Sequence, residues 1–190
     1  MTRSMDTYAE LQVTSNFTFL EGASHPDELV FQAAALGLKA IAITDRNSLS
    51  GVVRAHVTAK EAGLKLVVGA RLDLRDGSSL LALPMDRVAY GRLSRLITLG
   101  RRRAVKGDCE LYRRDVMDAA QGMVLIALPP EVPDLAFEEQ LQAWRRAFPG
   151  DVYLAAQHLS RGDDDVQVRT LAWLADRCGV PLVATNDVLM

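Results

Sequence analysis

Short apolar runs alternate with longer helical stretches along this chain, and that alternation limits its possible folds more than any other feature. Residues 40–44 (AIAIT) and 123–128 (MVLIAL) are continuous apolar runs without polar alternation, as strands buried on both faces are. Residues 8–13, 65–70 (KLVVGA), 152–156 and 181–184 (PLVA) read as further strands. Between them, helices are predicted over 48–62, 86–99, 113–120, 138–148 and 163–178, several with glycine just behind. Another helix is predicted to open at Ser24 as N-cap, with Pro26 in its first turn and Asp27 three residues after the cap, and to stop at Gly37. The rhythm breaks once, at 72–74, Asp76-Gly77 and 79–83, which reads as a hairpin.

Strand–helix–strand repetition predicts an α/β fold of parallel strands joined by right-handed crossovers. No Gly-x-Gly-x-x-Gly follows the first strand, which disfavours a dinucleotide-binding unit. A distorted, incomplete (β/α) barrel with one hairpin fits better, because a full eight-fold barrel needs about 250 residues and this chain has 190. It stops at Met190, directly after a strand, and reads as a piece truncated from something longer.

Composition removes several function classes. The formal net charge is −2, whereas a domain that is basic throughout is the usual nucleic-acid binder. There is no apolar run of membrane-spanning length and no apolar signal core at the N-terminus. Two cysteines, Cys109 and Cys178, rule out a cysteine zinc cluster and a disulfide framework and point to a reducing cytoplasm. Charge is uneven, however. Eight basic residues lie between Arg92 and Arg114, among them Arg101, Arg102 and Arg103, with only Asp108 and Glu110 against them. They read either as a solvated helix end or as a patch for phosphate or an acidic partner.

Chemistry in parallel α/β folds gathers at the C-terminal ends of strands. That rule selects Gln12, Thr14 and Glu21 after the first strand, Thr44-Asp45-Arg46 after the second, Arg71 after the third, and Asp187-Val188-Leu189 after the last. Gln12 and Thr14 share a strand face; two histidines at that spacing would converge on a metal ion, but Gln and Thr are poor ligands for zinc-like metals. His25 reads as a surface position beside a helix start, His56 as a helix-face residue and His158 as a candidate for the cleft. Asp163, Asp164 and Asp165 suit a helix N-terminus. Trp144 and Trp173 read as packing residues.

Three stretches carry a family resemblance: YAELQVTSNFTFLEGASHPDELV, AIAITDRNSLSGVVRAHVTAKEAGLKLVVGA and PLVATNDVLM. They resemble the polymerase-and-histidinol-phosphatase (PHP) domain at the N-terminus of bacterial C-family DNA polymerases, the family of the DNA polymerase III alpha subunit. SNFTFLEGASHPDELV and LITLGRRRAVKGD look most like its error-prone branch, which acts in damage tolerance. The resemblance implies that residues 1–190 are a single PHP-like domain with a distorted barrel. In metal-binding members the first motif reads His-x-His, where this chain has Gln12-Val13-Thr14. Thr-Asp-His becomes Thr44-Asp45-Arg46, a Glu becomes Arg71, and Asp-x-His becomes Asp187-Val188-Leu189. Glu21, Asp45 and Asp187 are the carboxylates left.

Setting Arg46 and Arg71 against metal ions would cost roughly 4 kcal/mol per unit-charge pair at 4 Å and an effective dielectric of 20. No catalytic metal cluster is therefore expected. The two arginines are expected to sit where metal would and to pair with Glu21, Asp45 and Asp187. The leading implied role is a non-catalytic scaffold for a downstream polymerase core, with Arg101–Arg103 facing that core or DNA. The parent would use template DNA, dNTPs and magnesium, with a sliding clamp and damage-tolerance proteins as partners, in the cytoplasm and away from membranes. Two other readings stand beside it. One is an active phosphoesterase or 3′–5′ exonuclease holding magnesium on the remaining carboxylates. The other is an anion-binding module in which Arg46 and Arg71 bind phosphate.

Overall fold

A computed structural model describes residues 8–159 and 162–189. In chain order the elements are β1 (Ala9–Thr14), α1 (Pro26–Ala35), β2 (Ala40–Ile43), α2 (Val52–Glu61), β3 (Lys65–Val68), β4 (Ala70–Asp73) and β5 (Ser79–Pro84). They continue with α3 (Arg87–Arg103), α4 (Arg113–Ala119), β6 (Met123–Leu128), α5 (Leu135–Ala147), β7 (Val152–Gln157), α6 (Asp164–Cys178), β8 (Leu182–Thr185) and β9 (Val188–Leu189).

The strands form two sheets rather than one. The first, ordered β3-β2-β1-β9, is parallel throughout. The second, ordered β4-β5-β6-β7-β8, is antiparallel over β4-β5-β6 and parallel over β6-β7-β8. Leu11, Ala42 and Val67 of the first sheet share an apolar interior with Leu81, Leu83, Ile126 and Ala155 of the second. Helices α1 and α2 pack on the first sheet, and α3–α6 lie against the second, with Leu93, Leu96, Leu141 and Trp144 in its core. This is the interior of a barrel that stays open: among the described residues a single isolated bridge, Arg46 to Arg71, joins the two sheets.

The α/β class, the buried strand 40–43 and the hairpin follow the sequence reading; several boundaries do not. β6 runs antiparallel to β5, because both α3 and α4 lie between them and return the chain to the end it left. β3 is an edge strand and only partly covered. α1 is capped at His25, not Ser24: the His25 N–H donates to Glu28 Oε2 at 2.7 Å. α2 begins at Val52 because Ser48 and Ser50 bond to each other and to the local backbone, an alternative to helix that serines favour. α3 runs through Gly100 to Arg103. That glycine serves close packing, since a Cβ there would lie 2.6 Å from Cys109 Sγ. β9 has only two residues, too few for a periodic signal, and forms by pairing with Val13 and Thr14. Trp144 is core, but Trp173 is 59% exposed, with the Arg177 guanidinium 5.0 Å from its ring centre.

Candidate functional site

The loop after β2 hooks the first sheet onto the second. Asn47, in the left-handed region at φ +48°, donates its N–H to the Arg71 carbonyl at 2.7 Å, and the Arg71 N–H donates to the Asp45 carbonyl at 3.1 Å. Arg46 and Arg71 are thereby brought side by side, one from each sheet. Both guanidinium groups reach the same carboxylate. Arg46 Nη1 is 2.7 Å from Asp73 Oδ2, and Arg71 Nε is 2.9 Å from Asp73 Oδ1. Ser79 Oγ donates to Asp73 Oδ1 at 2.5 Å, and the Asp73 N–H donates to Asn47 Oδ1 at 3.2 Å. Arg46 Nε also contacts Glu21 Oε2 at 2.5 Å.

Partial burial of Asp73 opposes its charge. The Ser79 hydroxyl and the charges of Arg71 and Arg46 outweigh that effect and hold its carboxyl below the usual carboxylate range. Burial likewise works against the Arg46 charge, but Asp73 and Glu21 push its pKa above the ordinary arginine value.

A second polar seam joins the sheets through Gln12, which is buried on β1. Its Oε1 accepts from Thr185 Oγ1 at 2.9 Å and Gln157 Nε2 at 3.0 Å, and its Nε2 donates to Asp187 Oδ1 at 2.6 Å. One amide thus links β1 to β7, β8 and the turn before β9. Beneath it, buried Glu10 accepts from the Gln12 and Asn186 N–H groups and from the Tyr8 hydroxyl. Burial, then the Glu10 carboxylate, drives the Tyr8 pKa upward.

Two expected pairings are corrected. Asp45 and Asp187 do not meet the arginines. Asp45 is 1% exposed and accepts from the Ser15 N–H and hydroxyl, both at 2.8 Å, and from Thr18 Oγ1 at 2.9 Å. It anchors the loop after β1, and neutral donors satisfy it. Asp187 lies on the Gln12 seam. Of the three carboxylates only Glu21 pairs as anticipated, on the exposed rim. Thr14 is buried and pairs in register with Leu189, whose side chain is 53% exposed.

Asp73, the hub, was missed by the sequence reading. Its signal was there: it stands two residues after Arg71, so a strand places both on one face. Glu10, two residues before Gln12, was missed in the same way. His25, His56 and His158 are exposed. The acids at the start of α6 lie as expected, Asp163 as N-cap and Asp164 and Asp165 in the first turn; Asp164 is buried and also accepts from the Leu159 and Gly162 N–H groups.

The basic triplet ends α3. Arg101 Nε donates to the Asn47 carbonyl at 3.0 Å, Arg103 forms a two-pronged pair with Asp115, and Arg102 points to solvent. Arg101, Arg103, Arg46, Asp73, Glu21 and Phe19 line an open cleft of about 680 Å³ with equal numbers of acids and arginines around it.

This donor set does not suit a multinuclear metal centre. Among the described residues no three His, Cys, Asp or Glu side chains are grouped to hold an ion. The strand-end positions carry amide, hydroxyl, guanidinium and alkyl groups, which are weak or repulsive toward metal cations, and the carboxylates beside them, Glu21, Asp45 and Asp187, are engaged by Arg46, by Ser15 and Thr18, and by Gln12.

Residues 10–157 match the PHP domain family. Among curated relatives, an error-prone DNA polymerase of Caulobacter vibrioides is 49% identical over 96% of this chain but only 17% of its own length. One from Ruegeria pomeroyi is 45% identical over 97% of this chain and 20% of its own length. The chain therefore spans about a fifth or less of these relatives. Among solved structures, a Bifidobacterium adolescentis protein assigned as a metal-dependent phosphoesterase superposes with a TM-score of 0.74 at 19% identity. The match covers 96% of this chain and 87% of that one, a likeness of fold.

Proposed function

This chain belongs to the PHP domain family, and on that premise we propose that it is a non-catalytic scaffold domain of an error-prone DNA polymerase. The parent would copy template DNA with magnesium and dNTPs during damage tolerance, using catalytic residues downstream in the same chain. This domain would brace that core, and the end of α3, with Arg101–Arg103, would face it or DNA. A sliding clamp and damage-tolerance proteins would be partners of the whole. Among the described residues no helix is long and apolar enough to cross a membrane, and the cytoplasm is the proposed location.

One observation carries the reading: the polar side chains of the cleft are bound to one another, and the Arg46–Asp73, Gln12–Gln157 and Gln12–Thr185 contacts cross the seam between the sheets. Arg46 and Arg71 close on Asp73, and Gln12 closes on Asp187, Gln157 and Thr185. The place a bound phosphate would take between the arginines is filled by Asp73, so the chain's own carboxylate does the work of an anion. Bidentate-capable arginines and an amide held by three hydrogen bonds stabilise a fixed arrangement of strands, which is what a scaffold requires.

Metal analysis and activity assays on the purified chain test this. Less than stoichiometric zinc or manganese is expected, with no metal-dependent cleavage of p-nitrophenyl phosphate and no trimming of DNA 3′ ends. Stoichiometric metal, together with phosphoester cleavage lost in Asp45→Asn, would establish the phosphoesterase reading instead.

A further inference from the structure

Helix α3 carries six arginines and no acid in 17 residues, on a chain whose net charge is −2. The fold divides these arginines into two groups. Arg92 donates to the Gln121 carbonyl, Arg101 to the Asn47 carbonyl, and Arg103 pairs with Asp115. These three tie α3 to its neighbours. Arg87, Arg95 and Arg102 are exposed and make no ion pair or side-chain hydrogen bond among the described residues. They fall on one face of the helix, opposite buried Leu93, Leu96 and Ile97. Arg95 and Arg102 line one shallow depression with Thr98 and Leu99.

From this we propose that the outer face of α3 binds the phosphate backbone of DNA through Arg87, Arg95 and Arg102. At 1.5 Å per helical residue these arginines stand about 12 Å and about 10 Å apart along the axis. Each interval matches roughly three steps of a DNA strand at about 3.4 Å per step. The guanidinium fork suits phosphate, and such contacts position a protein on nucleic acid without reading sequence. The chemistry favours DNA over an acidic protein. Protein interfaces are centred on clustered apolar or aromatic anchors, and among the described residues α3 exposes Val88, Tyr90 and Leu99 as large apolar side chains, with Tyr90 on the other side of the helix from Val88 and Leu99. Two acids share an edge with it, in the groove beside Arg92 and Arg95: Asp118, and Asp115, which Arg103 already pairs. The sequence-level candidate, Arg101–Arg103, is thus narrowed: Arg102 is free to bind, while Arg101 and Arg103 are already engaged. The proposal does not depend on the scaffold reading, because an active phosphoesterase would present the same face.

The experiment is fluorescence anisotropy of the 190-residue chain with labelled 30-nucleotide single-stranded and 30-base-pair duplex DNA over a salt series. Binding is expected to weaken with salt. The Arg95→Ala/Arg102→Ala double variant is expected to lose at least about tenfold in affinity, and its log–log salt slope on duplex to fall by about 1.8, that is 0.9 for each phosphate contact. Arg146→Ala, an exposed arginine on α5, should bind as the parent does. Unchanged melting temperatures will show that the variants are folded. No DNA binding, or DNA binding indifferent to the double substitution, overturns the proposal. So does displacement of DNA by poly-glutamate at equal charge, which would mark the face as a site for an acidic protein.

Discussion

Replacing Asp73 with alanine removes the acceptor shared by Arg46, Arg71 and Ser79. Two guanidinium groups would then remain side by side with only Glu21 against them, and Glu21 is on the rim with its side chain 38% exposed. Removing one partner of a buried ion pair costs roughly 3–5 kcal/mol. The side chains of Arg46 and Asp73 are 33% and 27% exposed, so solvent screens part of that. The expected loss is about 2–3 kcal/mol. For a chain of this size each kcal/mol is worth roughly 2–4 °C, which puts the fall in Tm at about 4–12 °C.

Glu21→Ala, removing only the exposed partner, should cost about 0–1 kcal/mol. The pH dependence gives a second handle. The folded carboxyl of Asp73 is held below its unfolded value. Its contribution is therefore full above the unfolded pKa of about 3.9 and is lost as pH falls through the folded value. The gap in Tm between the parent chain and Asp73→Ala should be constant from pH 7 to about 5 and shrink below pH 4. Thermal melts followed by circular dichroism measure both effects. If Asp73→Ala melts no lower than Glu21→Ala, or the gap persists unchanged at pH 3, the arginine–aspartate seam does not hold the sheets together.

Two further substitutions probe the rest of the cleft. Gln12→Leu keeps the bulk of the side chain but orphans the 1%-exposed Thr185 hydroxyl and the Gln157 amide, and should cost about 2–3 kcal/mol in chemical denaturation. Gly22→Ala would put a Cβ 2.2 Å from the Ser15 carbonyl oxygen. Because that obstacle is backbone, the loop anchored by Asp45 must shift, and a loss of about 1–3 kcal/mol or more is expected by the same method.

The apolar runs at 40–44 and 123–128 were readable as strands because nothing polar interrupts them, and Asp76-Gly77 was readable as a turn for the opposite reason. Gly100 misled, since a glycine needed for contact with Cys109 and Leu111 looks the same in a sequence as one that ends a helix. At the site, the strand-end rule found Gln12, Asp45, Arg46, Arg71 and Asp187 without finding their partners. It assigned Asp45 to an arginine, whereas Ser15 and Thr18 had already satisfied it. It overlooked Asp73, because an acid inside a predicted hairpin reads as solvent-facing.

The order of residues by itself determined the local quantities: which segments are strand or helix, which strand ends carry polar groups, and that cations and amides stand where the resemblance expects imidazoles. These depend on neighbours within a few positions. Only the tertiary structure decided that there are two sheets, that Arg46 and Arg71 close on Asp73, that Gln12 spans to residues 157, 185 and 187, and which α3 arginines stay free. Arg71 and Asp73 are neighbours on one strand, but the other pairings join groups tens of residues or more apart, and their partners are fixed by how the sheets meet, a geometry that no local periodicity encodes.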